Sequence, residues 1–175
     1  MTIIEGLLQE LTQEAQTTRR VLERVPGDQL NWKPHAKSMS LGQLALHVAT
    51  VPGSVAQVSQ QSPFSLPSFA PPSATSAAEL VPALDESIAT ATRILRSLDD
   101  ASLGKIWQVV DGQREVMAMP VGAVLRSIML NHWYHHRGQL SVYLRQLGVP
   151  VPSIYGPSAD ENPFAAPAAK AAGAA

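Results

Sequence analysis

Apolar residues recur along the first 25 positions at alternating spacings of four and three: Ile4, Leu8, Leu11, Ala15, Thr18, Leu22 and Val25. That period places them on one stripe of a long helix, which Pro26-Gly27 should end. A polar loop follows, and Ser40 with Gln43 forms a capping-box pattern that opens a second helix. Leu44, His47 and Val51 fall on one face of it. Pro52-Gly53 is expected to kink or interrupt this helix, with Val55 to Gln60 resuming it. A third stripe, Leu80, Leu84, Ser87, Ala91, Ile94 and Leu98, follows a helix start near Ser76, where Glu79 completes a second capping pattern. Pro82 moves that start a few residues later if the helix N–H groups are already paired there. The last stripe is Leu125, Met129, His132, His136, Gln139, Tyr143 and Leu147, on a helix from about Val121 that Gly148 and Pro150 terminate.

Two segments break the helical period. Residues 62–75 carry four prolines, Pro63, Pro67, Pro71 and Pro72, and read as an ordered crossover without regular structure. Asp111-Gly112 lies between two partly alternating runs and predicts a short β-hairpin. The expected architecture is therefore all-α: a four-helix bundle with one long crossover and a small β-hairpin appendage. The domain is expected over residues 1–163. Residues 164–175 form a low-complexity Ala/Pro tail, expected to be mobile or a marginal helix.

Composition narrows the function classes. The chain has 175 residues, enough for one domain with a full core. Its formal net charge is -1 and no run of Lys or Arg forms a basic patch, which argues against nucleic-acid binding. No apolar stretch approaches membrane-spanning length, and the acidic, amphipathic N-terminus does not read as a signal peptide. A cytoplasmic location is the expectation. There is no cysteine, which removes disulfides, thiolate ligands and a thiol nucleophile together.

The chemistry then concentrates on histidine. His132 and His136 are four positions apart, so on a helix they lie one turn apart and can grip one divalent ion at bond lengths of about 2.0–2.1 Å. His135 pairs with His132 at i,i+3, and spacing alone leaves it as an alternative. His47, on the apolar face of another helix, is the candidate third ligand; a lone core histidine is more often hydrogen-bonded than ligating. His35, beside Pro34 in a polar loop, reads as exposed. Gln139 and Tyr143 lie further along the same face and are candidates to orient a water or ligand, with an interior hydrogen-bond network and core packing as the plainer readings. Arg137 is expected to pair with a surface or dimer-contact acid, and Trp107 and Trp133 to serve packing. No carboxylate neighbours either histidine motif, so no general base is visible.

The run NHWYHHRGQLSVYLRQLGVPVPSIYG (131–156) resembles the C-terminal signature of the DinB/YfiT-like metalloenzyme superfamily: histidine, three residues, histidine, Arg-Gly-Gln and a Leu-Gly turn. The run LNWKPHAKSMSLGQLALHVA (30–49) resembles that family's loop and second helix, which holds its first histidine. The resemblance implies an up-down-down-up bundle, often homodimeric. It assigns the metal, zinc or nickel, to His47, His132 and His136, and so selects His136 over His135. It also implies a transferase or isomerase using a low-molecular-weight thiol as cosubstrate.

An ion held by three neutral imidazoles keeps its positive charge and would acidify a bound water or thiol. With no cysteine in the chain, that thiol must come from outside. Three readings follow: a metal-dependent thiol S-transferase acting on a small electrophile, a metal-dependent hydrolase, and a non-catalytic metal-binding, stress-associated protein whose ion only stabilises the fold. The last requires a closed coordination shell.

Overall fold

In the computed structural model, which describes residues 2–65 and 71–165, the chain is mostly helical with one small sheet. The helices are α1 (Ile3–Leu22), α2 (Leu41–Val58), α3 (Leu80–Arg96), α4 (Val121–Ala123) and α5 (His132–Gln146). A π-helical stretch, Val124–Asn131, joins α4 to α5 in one continuous run. The strands are β1 (Phe64–Ser65), β2 (Ile106–Asp111) and β3 (Arg114–Pro120). The tail beyond residue 165 and Pro67 of the crossover lie outside the described residues.

Both capping patterns form. Ser40 and Gln43 satisfy each other's free backbone N–H groups at the start of α2. Around a 3₁₀ turn, Ala77–Glu79, the Glu79 carboxylate accepts from the Ser76 N–H and the Ser76 hydroxyl accepts from the Ala78 N–H, and α3 proper begins at Leu80. Pro82 therefore sits in the first turn, where a missing N–H costs nothing. The C-terminal helix ends as expected: Gly148 takes φ 71°, and the Val149 N–H turns back to the Leu144 carbonyl.

The expected break at Pro52 does not occur, because neighbouring elements take up the backbone groups it disturbs. In an unbroken helix the residue 52 N–H would pair with the Val48 carbonyl; proline has none, and the Trp133 indole N–H donates to that carbonyl at 2.7 Å instead. Beside it, the Gly53 N–H donates to Ser87 Oγ at 2.8 Å, and the Ser87 hydroxyl donates to the Thr50 carbonyl at 3.1 Å. A Cβ on Gly53 would lie 2.8 Å from the Ser87 carbonyl oxygen. Glycine is thus what lets α2 and α3 approach this closely.

The hairpin is present, with Asp111 opposite Arg114 and Gly112 at φ 61° in the turn. The all-α expectation needs one further correction. Phe64 and Ser65, within the crossover expected to lack regular structure, pair in parallel with Val109 and Val110. Phe64 stacks on Trp107, and Ser62 Oγ accepts from the Gln108 N–H at 3.1 Å. A two-residue strand has no period to read; it forms because β2 offers an open edge.

Two stripes are rotated from their expected positions. The buried face of α1 is Ile4, Leu7, Leu11, Glu14, Thr18, Val21 and Leu22, while Leu8 and Ala15 sit at its margin. The buried face of α5 is Trp133, Arg137, Leu140 and Leu144. His132, His136 and Tyr143 are half-buried on its flank, and Gln139 is exposed. The physical reason is a buried ion pair. Arg137, 1% exposed, meets the Glu14 carboxylate at 2.6 Å and donates to the Glu14 carbonyl and Thr18 Oγ1. Its guanidinium also reaches the Tyr155 hydroxyl and lies over the Tyr134 and Tyr155 rings. Arg137 is thus bound inside its own chain rather than to a surface or dimer-contact acid.

Candidate metal centre

Local chain geometry brings the two helical histidines together. His132 opens α5 at the end of the π segment, and His136 follows one turn later. Their Nε2 atoms lie 2.7 Å apart. His47 reaches them from α2, its ring centroid 5.2 Å from His132 and 4.5 Å from His136. One ring nitrogen from each of the three histidines lies within 4.8 Å of the other two. The bond from Trp133 to the Val48 carbonyl joins the residue after His132 to the residue after His47. It fixes the register of α5 on α2 at the level of the site.

The electrostatics favour neutral rings. Burial, followed by the His136 and His132 rings beside it, lowers the His47 pKa to about 4. Burial is also the largest cause of the lowered pKa of His132 and of His136. Neutral imidazole is the form that carries a lone pair for a metal ion.

The protonation pattern gives a sharper test of fit. His136 Nδ1 faces Gln139 Oε1 at 2.7 Å, so that nitrogen carries the hydrogen and Nε2 holds a lone pair. His132 Nδ1 is buried without a hydrogen-bond partner among the described residues, and its Nε2 faces that of His136. A hydrogen on that Nδ1 again leaves the lone pair on Nε2. With both hydrogens so placed, two lone pairs face each other 2.7 Å apart and repel, and moving the His136 hydrogen to Nε2 would strip it from the nitrogen that faces Gln139. A cation between the rings removes the conflict. The donor set therefore fits a divalent ion that accepts imidazole nitrogen.

The other candidates separate cleanly. His135 is exposed, its ring 5.1 Å from that of His136, and it is outside the three-nitrogen group. His35 is exposed, as its loop position implied. Tyr143 turns away: its hydroxyl donates to the Met39 carbonyl and its ring packs edge-on against Trp32. Gln139 meets the site through His136, whose Nδ1 it faces. Trp107 and Trp133 are buried in packing.

A cavity of about 200 Å³ opens beside the histidines, lined by His47, Thr50, Val51, Ser54, Val55, Pro71, Pro72 and His132. The sequence reading did not single out Thr50, Ser54 and Val55. Their spacing of four and one along α2 marks them only once the orientation of that helix is known. Glu14 left a readable signal: an acid spaced i+3 from Leu11 and i−4 from Thr18 requires a buried cation as partner.

Comparisons with known proteins agree with the fold. The DinB family model matches residues 2–165. The protein YrdA of Bacillus subtilis is 28% identical over 149 residues, 85% of each chain. The crystal structure of a DinB-like protein from Bacillus cereus ATCC 10987 superposes with a TM-score of 0.69 at 28% identity, covering 88% of this chain and 98% of that one. A DinB-like protein, YjoA, from Bacillus subtilis shares the fold at a TM-score of 0.60 and 22% identity, covering 82% of this chain and 92% of that one. No helix among the described residues is long and apolar enough to cross a membrane. With a family match spanning nearly its whole length, this chain belongs to the DinB family.

Proposed function

We propose that the chain is a divalent-metal-dependent enzyme whose ion is held by His47, His132 and His136, and that it transfers a low-molecular-weight thiol to a small electrophile. The observation that carries this reading is the convergence of three neutral imidazole nitrogens within 4.8 Å of one another. Zinc or nickel is the expected ion, since both accept imidazole. When bound, the ion supplies Lewis acidity that favours the thiolate form of an incoming thiol.

The chain's own residues do the rest. Gln139 holds the Nδ1 hydrogen of His136 and so keeps its Nε2 lone pair directed to the site. Val51, Val55, Pro71 and Pro72 give the cavity beside the site a hydrocarbon lining. Among the described residues the histidine group includes no fourth His or carboxylate ligand, which supports an open coordination position over a closed structural site. The absence of cysteine makes an external thiol the nucleophile.

The remainder of the reading concerns assembly and place. We assign the domain to residues 1–163 as an up-down-down-up four-helix bundle, acting as a homodimer in the cytoplasm on a small-molecule substrate. The activity is tested by incubating zinc- or nickel-loaded protein with several low-molecular-weight thiols and a chlorinated electrophile. Thiol-dependent loss of chloride above the metal-free rate is expected. No rate with any thiol, together with turnover of esters or amides in the absence of thiol, would replace the transferase by a hydrolase. Absence of both would leave a metal-binding protein.

A further inference from the structure

The cavity beside His47 and His132 differs in character from the site it adjoins. Four of its eight lining residues, Val51, Val55, Pro71 and Pro72, present hydrocarbon, and two, Thr50 and Ser54, present hydroxyls. No Lys, Arg, Asp or Glu lines it among the described residues. Its volume of about 200 Å³ exceeds that of an apolar protein cavity of about 150 Å³, which takes up benzene.

We propose that this cavity is a subsite for an uncharged, mainly apolar group of about benzene size, so that the compound presented to the metal is neutral at the end lodged here. The inference rests on the metal reading for its place in the reaction and on the cavity alone for its selectivity. A carboxylate in the cavity would lose its water without gaining a cationic side chain, which is strongly unfavourable. A metal ion would satisfy one anionic donor atom, and a second negative charge further along the ligand would remain unpaired. The hydroxyls set the polarity that is tolerated. Thr50 Oγ1 already donates to the Leu46 carbonyl, so it is left as an acceptor. The Ser54 hydroxyl has no partner among the described residues and can donate or accept. One neutral O–H, S–H or C=O on an otherwise hydrocarbon group matches this lining.

The test uses the full chain and two pairs of probes. Metal-free protein is titrated with 1-butanol and with butyrate while the Val51 and Val55 methyl resonances are followed. Butanol should shift them at concentrations roughly tenfold or more below those butyrate requires. Cobalt-loaded protein is titrated with 1-butanethiol and with 3-mercaptopropionate, read by thiolate-to-cobalt absorption, and the same preference should hold. Val55→Phe, which fills the cavity, should abolish the butanol response. Ser54→Lys, at an exposed position, should erase the preference by improving butyrate; it serves even if Val55→Phe fails to fold. Equal or tighter binding of the anions to the unaltered chain, a butanol response unchanged in Val55→Phe, or butyrate binding no better in Ser54→Lys overturns the proposal. Failure to take up cobalt with the butanol preference intact overturns the ligand set proposed above and leaves the subsite standing.

Discussion

At the scale of single residues, the site depends on which ring nitrogen carries hydrogen. Gln139 is exposed and would look dispensable, yet its side-chain oxygen faces His136 Nδ1 at 2.7 Å. Gln139→Leu removes that acceptor and frees the ring to place its hydrogen on Nε2. Metal affinity should fall about 10–100-fold, the usual effect of losing such a partner, with the fold intact; calorimetric titration with zinc reads it. His136→Ala should abolish most of the rise in melting temperature that zinc or nickel produces, whereas His135→Ala should retain it, because only His136 belongs to the three-nitrogen group. Equal loss in both variants would reject the ligand assignment. The same rings give the metal-free protein a pH dependence. The His47 pKa is about 4 in the folded chain against about 6.5 unfolded. The unfolded chain therefore binds protons first as pH falls, and this contribution to stability, present above about 6.5, is lost down to about 4. Urea midpoints of metal-free protein should fall across that window, and His47→Ala should flatten the dependence.

At the scale of elements, the Pro52 segment couples α2 to both of its neighbours. Proline leaves the Val48 carbonyl without its helical donor, and Trp133 supplies one; Ser87 occupies the groups beside it. Ser87→Ala should cost about 1–3 kcal/mol by leaving the Gly53 N–H unsatisfied in a buried place. Gly53→Ala should cost about 1–3 kcal/mol by pressing a methyl onto the Ser87 backbone. Denaturant unfolding measures both. Trp133→Phe keeps the packing but orphans the Val48 carbonyl, so it should weaken zinc binding as well as stability, since that bond holds His47 and His132 in register. A variant that loses stability alone would show that packing sets the register without it. The π stretch just before His132 is the other departure from regular helix here. It changes the angular phase of every residue after it, which together with the inward pull of the Glu14–Arg137 pair leaves His132 and His136 on the flank of α5 rather than on its core stripe.

At the scale of the whole molecule, the Glu14–Arg137 pair ties the first helix to the last inside the core. Glu14→Ala would strand a buried guanidinium and should cost about 3–5 kcal/mol, a large share of the roughly 5–15 kcal/mol that holds a domain folded. Replacing both residues by leucine should recover most of that loss, because no charge is then left unpaired. Global unfolding in urea separates the two outcomes. The pair also explains why the sequence misplaced two helical faces. Hydrophobic periodicity assigns apolar residues to the core, so it chose Leu8 and Ala15 over Leu7 and Glu14, and passed over Arg137 altogether.

What the sequence by itself determined is local. Capping pairs at Ser40/Gln43 and Ser76/Glu79, glycines at 112 and 148, and the four-residue spacing of His132 and His136 each act within about one turn of chain, and each is found where it was read. The resemblance carried by residues 30–49 and 131–156 implied that His47, and not His135, joins that pair; only the tertiary structure brings the three rings together, turns Tyr143 to Met39 and Trp32, and opens an uncharged cavity beside them. Those outcomes depend on how α2 and α5 are rotated and slid against each other. That arrangement is set by bonds between residues far apart in the chain, Trp133 to Val48 and Arg137 to Glu14, whose pairing no local period encodes.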